Sequence, residues 1–161
     1  MRRLLRVVAR EGADYVLMHN RGRGEIAGPN IHYDRIVDDV ISDLHASIAR
    51  AIKFGVDREK IIVDPGLGFA KTTAQSIELL ARTEKIVALG HRTMIGVSRK
   101  SMVGKMASAD ECSPLPIDER LAGSLAAAIF AAASGAQILR VHDVEQTVQA
   151  LRTYDVLLSF D

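Results

Sequence analysis

Apolar and polar positions along the chain follow two periods in alternation. Four short runs rich in branched apolar residues, YVLM from Tyr15, IIVD from Ile61, MIGV from Met94 and ILRV from Ile138, read as strands. Helical spacing fills the intervals. Residues 33–54 carry Ile36, Val40, Ile41, Leu44, Ile48 and Ile52 on one helical stripe, and Gly55 supplies a stop. Residues 72–82 give a shorter helix, and 117–134 a long alanine-rich one ending at Gly135. A last helix covers 145–158 with Asp143 as its cap, and residues 1–11 are helical as well. Strands and helices alternating at steps of roughly 30 to 45 residues indicate βα units around a parallel sheet. The stretches NRGRGEIAGPN and SADECSPLPID read as surface loops, and no repeat is visible.

Every strand runs into polar chemistry: HNRGRG after the first, DPGLG after the second, SRKS after the third, RVHD at the fourth. In parallel α/β sheets and barrels, ligands sit at the carboxyl ends of the strands, where several strands contribute one group each. Strand alternation then sorts the side chains. Arg140 and His142 share one face, opposite Leu139 and Val141; Gly96, Ser98 and Lys100 share another, opposite Ile95 and Val97. Asp64 lies with Ile62, and Met18 with Val16, whereas His19 turns the other way. With helices covering the outside, the interior set is Met18, Asp64, Lys100, Arg140 and His142. One carboxylate beside three potential cations suits a ligand with an amidine-like pair of N–H groups and an anionic arm. Taken singly, each piece has a plainer reading. DPG is a turn signal, Arg99-Lys100 a solvated pair, and His142 a structural histidine. Their common position at one end of the sheet is what argues for a site.

Composition narrows the picture further. With 48% apolar and 25% charged residues in 161, the chain is expected to fold as one globular domain spanning 1–161. A net charge of +1 argues against a dedicated nucleic-acid or membrane surface. The single cysteine, Cys112, cannot close an internal disulfide and suits a reducing cytoplasm. No apolar run approaches 18 residues, and the basic MRRLLRVVAREG is broken by arginine, so it reads as a helix rather than a leader. His32, His45 and His91 lack metal-ligand spacing, and no protein-built metal cage is expected. Gly22, Gly24, Gly66 and Gly68 permit close backbone approach, but no Walker or dinucleotide fingerprint is present.

DPGLGFAK, GVSRKSMVG and LRVHDV, in that order, resemble the final three strand motifs of dihydropteroate synthases, and VLMHNRG resembles the motif before them. The resemblance implies the second half of a TIM (β/α)8 barrel, strands five to eight. It implies a transferase of folate biosynthesis that joins p-aminobenzoate to 6-hydroxymethyl-7,8-dihydropterin diphosphate and releases diphosphate. On that resemblance Asp64 meets the pterin amino and ring N–H groups, and Lys100 contacts the pterin and, with Ser101, borders p-aminobenzoate. Arg140 stacks along the pterin, Arg140 and His142 hold the diphosphate, and Met18, Phe69 and Gly96 line the pterin pocket. Mg²⁺ is implied too, with its main protein ligand in the half of the barrel this sequence does not resemble. A full barrel typically takes about 250 residues, so the chain is expected to be inactive or weak alone, and to self-associate or belong to a longer product. Other readings stay open: a methyltetrahydrofolate-binding domain, a non-catalytic pterin-binding paralogue, or a purely structural half-barrel.

Overall fold

The structure, a computed structural model, describes residues 2–21, 31–110 and 113–160. Gly22, Gly24 and Cys112 lie outside the described residues, as do parts of both expected loops. The elements run α1 (Arg2–Glu11), β1 (Tyr15–Met18), α2 (Ile36–Lys53), β2 (Ile61–Asp64), α3 (Thr73–Ala81), α4 (Thr83–Val87), β3 (Arg92–Ile95), α5 (Ser101–Ala107), α6 (Leu121–Ala133), β4 (Ile138–Leu139) and α7 (Val144–Leu158). The strands form one parallel sheet in chain order, β1-β2-β3-β4. Consecutive parallel neighbours joined by helical crossovers are the arrangement of a (β/α) barrel segment.

The register decides which residues share a face. Met18 stands beside Asp64, Ile62 beside Arg92, and Met94 beside Ile138. Partners in a parallel ladder point the same way, so Met18, Asp64, Met94 and Ile138 line one face. Leu17, Val63, Thr93, Ile95 and Leu139 line the other, against the helices. There the core forms. Helix α2 buries Ile36, Val37, Val40, Leu44, Ile48 and Ala51, and each large aliphatic side chain buried contributes about 1.5–3 kcal/mol. The inner face of β1 has no such cover: Val16 is 43% exposed and Met18 37%. A sheet of four strands leaves two edges, β1 and β4, without strand partners among the described residues.

Several boundaries differ from those the pattern predicts. Strand β3 starts at Arg92, two residues before the apolar run, because Arg92 and Thr93 are the positions that register with β2. Strand β4 ends at Leu139; the Arg140 N–H still donates to Ile95 O at 3.0 Å, but no strand among the described residues lies on its far side. The long alanine-rich helix begins at Leu121, after a single 3-10 turn over Ile117–Glu119. Helices α4 and α5 are too short for a period to show, and α5 carries a glycine in its middle. That glycine, Gly104, is required by packing: a Cβ there would lie 2.6 Å from Arg120 Nε and 2.9 Å from Leu115 O. The expected cap Asp143 does occupy the N-cap of α7, but its side chain makes no capping hydrogen bond. Its carboxylate pairs instead with Arg99.

Candidate functional site

Strand β2 is buried along its whole length, and its last residue is the carboxylate Asp64. Pro65 and Gly66 then turn the chain, with Gly66 at φ +67°. The turn closes on the side chain, since the Gly66 N–H donates to Asp64 Oδ1 at 2.7 Å. Burial pushes the Asp64 carboxyl above the ordinary carboxylate range, opposed by that N–H bond and by the positive charges of Lys100, Lys71 and Arg140. Two of the three expected cations, Lys100 and Arg140, therefore reach Asp64 electrostatically. Lys100 is itself pushed down by burial, with Asp64 pulling the other way and Arg140 adding to the fall.

Lys100 is the N-cap of α5, not part of a strand. Its ammonium donates to Leu67 O and lies 5.0 Å from the centre of the Phe69 ring. Phe69, Lys100 and the exposed Ser101 border one cleft of about 420 Å³ between the loop after β2 and α5. On the other flank Gly96 faces Arg140, where a Cβ would lie 3.8 Å from the arginine Cβ. His142 is exposed but anchored: its Nδ1 lies 3.2 Å from Ser98 Oγ, which also accepts from the His142 N–H at 3.3 Å. Behind this pair Arg99, at φ +57°, makes two hydrogen bonds to Asp143, at 2.8 and 2.5 Å. Arg99 O accepts from Arg120 Nη1 at 2.9 Å, and the Arg99 N–H donates to Ser124 Oγ at 2.9 Å. The basic pair Arg99-Lys100 is thus divided, one member structural and one facing the site.

Two buried groups were given no role by the sequence pattern. Lys71, at the end of the loop, is 2% exposed, and burial brings its pKa down to about 8. His19 turns away from the inner face, as alternation requires, yet it is 4% exposed and packed between Lys71 and Asp43. Lys71 carried no local signal beyond following the GLGFA run, and His19 no signal but its place at a strand end.

The family of pterin binding enzymes matches residues 1–142. The chain belongs to that family. It is 37% identical over 155 residues to the dihydropteroate synthase of Escherichia coli K12, covering 96% of this chain and 53% of that protein. Dihydropteroate synthase of Xanthomonas albilineans, solved with 4-aminobenzoic acid, superposes at a TM-score of 0.84 with 36% identity, over 96% of this chain and 52% of that one. The same enzyme in complex with 7,8-dihydropteroate gives 0.83 and 36% identity, over 96% and 54%. The chain therefore spans about half the length of the curated relatives it matches. Its fold is a part of the barrel they share.

Among the described residues no three His, Cys, Asp or Glu side chains converge on one point, and Asp143, near His142, is committed to Arg99. These described residues do not by themselves make a protein-built Mg²⁺ cage. Among the described residues no helix is long and apolar enough to cross a membrane.

Proposed function

We propose that this chain supplies the carboxyl-terminal half of a dihydropteroate synthase site, which condenses p-aminobenzoate with 6-hydroxymethyl-7,8-dihydropterin diphosphate. The observation that carries the reading is Asp64: a buried carboxylate with one oxygen held by Gly66 N–H, surrounded by cations from separate chain segments. A flat heterocycle with adjacent N–H groups is the natural complement of such an acceptor. Met18, Gly96 and Phe69 border the ring position, Lys100 lies between pterin and p-aminobenzoate, and Ser101 edges the latter. Arg140 and His142 take the diphosphate.

In the reaction the C–O bond from the pterin methylene to diphosphate breaks, and the p-aminobenzoate nitrogen forms a C–N bond to the same carbon. The amine proton leaves to solvent or to the departing diphosphate. Positive character on the methylene and negative charge on the leaving oxygens grow together, so the fixed Arg140 cation, with the His142 ring beside it, lowers the barrier without a covalent enzyme intermediate. A cytoplasmic setting fits a folate pathway enzyme with one cysteine.

Titration calorimetry with a dihydropterin diphosphate, with and without p-aminobenzoate, tests the reading. With the other half of the barrel supplied, binding with turnover marks a synthase, and binding without turnover marks a non-catalytic paralogue. Methyl transfer to a corrinoid acceptor would instead indicate a methyltetrahydrofolate-binding domain. The purified 161-residue chain is expected to form dihydropteroate weakly or not at all, and robust product formation would refute the claim that half the site is missing. Sedimentation is expected to show self-association through the open inner face and the β1 and β4 edges. A stable compact monomer at high dilution would count against it.

A further inference from the structure

A lysine that is 2% exposed needs a reason to be there. The three N–H groups of Lys71 match three acceptors: Gly66 O at 2.9 Å, Phe69 O at 3.0 Å and His19 Nδ1 at 2.9 Å. An ammonium donating to Nδ1 leaves the imidazole proton on Nε2, which lies 3.0 Å from Asp43 Oδ2. The same Asp43 oxygen accepts from Arg21 Nε at 2.6 Å. One continuous set of polar contacts therefore ties the loop after β2 to the end of β1 and to the flank of α2.

Gly66 is the shared member. Its carbonyl accepts from Lys71, and its N–H holds Asp64 Oδ1. Any release of Lys71 frees Gly66 and with it the carboxylate's orientation. A methionine would fill the same buried space equally well; a lysine that directs its donors to two carbonyls of this loop fixes the loop's shape. We propose that Lys71, His19 and Asp43 are positioning residues, a latch that holds Gly66 so that Asp64 presents its second oxygen, Oδ2, to the pterin ring. The inference rests on Asp64 being the pterin acceptor, and its test separates the two.

Nuclear magnetic resonance of the intact chain reads the latch without ligand. At neutral pH, ¹⁵N signals of His19 are expected to show Nε2 protonated and Nδ1 bare. The groups facing this cluster are Asp43, Arg21 and Tyr33 on one side and Asp64 and Lys100 on the other. Asp43 is drawn below the usual carboxylate range: burial pushes it up, but bonds from Arg21 and His19 outweigh that. His19 is held below the ordinary histidine range, first by burial and then by Lys71. The parent latch should thus persist down to mildly acid pH.

His19→Leu removes an acceptor and leaves the Lys71 charge in place. It is expected to raise the titration midpoint of the Asp64 carboxyl as the Gly66 N–H moves away. Lys71→Met should do the same and weaken pterin binding roughly tenfold or more. An Nδ1-protonated His19, or an Asp64 midpoint unmoved in a folded His19→Leu chain, would overturn the latch. Asp64→Asn is the companion measurement. If it leaves pterin affinity unchanged while His19→Leu moves the Asp64 midpoint, the latch stands and the pterin assignment falls. If Asp64→Asn weakens binding and Lys71→Met in a folded chain does not, the latch falls alone. The His19 tautomer is read on the parent protein, so a variant that fails to fold does not shield the proposal.

Discussion

A chain carrying Gly66→Ala is expected to unfold at much lower urea than the parent, with a loss of about 2–5 kcal/mol. Two effects add there. At φ +67° an L-residue is forced into left-handed backbone, at a cost of about 1–2 kcal/mol. The new Cβ would also stand 2.0 Å from His19 O and 3.1 Å from His19 C, and relieving such an overlap costs about 1–3 kcal/mol. Neither neighbour is a flexible side chain. The His19 N–H donates to Asp64 O at 2.8 Å, so the ends of β1 and β2 would have to part. Gly90 is the control: it has φ +72°, and a methyl added there would meet nothing within 4 Å. Gly90→Ala should show the conformational cost alone, about 1–2 kcal/mol. Equal midpoints for the two variants in urea would mean that the close approach at Gly66 does not constrain the loop.

Asp64→Asn is expected to separate binding from stability. An asparagine keeps one acceptor for Gly66 N–H but sets an N–H₂ against ligand donors, and leaving such a buried site unsatisfied costs about 1–3 kcal/mol. Calorimetry should therefore show pterin affinity down by roughly 5- to 150-fold. Stability should move the other way. The folded-state pKa of Asp64 lies above its unfolded value, chiefly through burial. Its contribution is thus fully present below the unfolded value of 3.8 and is lost as pH rises through the raised one. At neutral pH the parent carries the cost of a buried carboxylate, and the asparagine chain should be at least as stable. Unchanged pterin affinity would remove Asp64 from its role. A large loss of stability at neutral pH would make the carboxylate a structural residue.

Much of this was legible in local pattern. The runs at Tyr15, Ile61, Met94 and Ile138 each fall in or against a strand, and the α2 stripe buries Ile36, Val40, Leu44 and Ile48 while Ile52 stays 39% exposed. Parity placed Asp64 and Met18 on one face, and the register pairs them. The same reasoning stopped short at His19. Alternation turned it from the inner face, and it does turn, but the helix side proved to hold Lys71 and Asp43, residues 52 and 24 positions away along the chain. Arg99-Lys100 shows the converse. Alternation already set Lys100 toward the site, whereas the pairing of Arg99 with Asp143 and the seat of the Lys100 ammonium over Phe69 came only with the fold.

From the sequence by itself came the places of the strands along the chain, the periods, the turn after Asp64 and the kinship of the motifs, because each depends on neighbours within a few residues or on the residue types themselves. Tertiary structure alone decided which charges are buried and who satisfies them. Those outcomes depend on desolvation and on donors brought from distant segments, and no spacing along the chain encodes either.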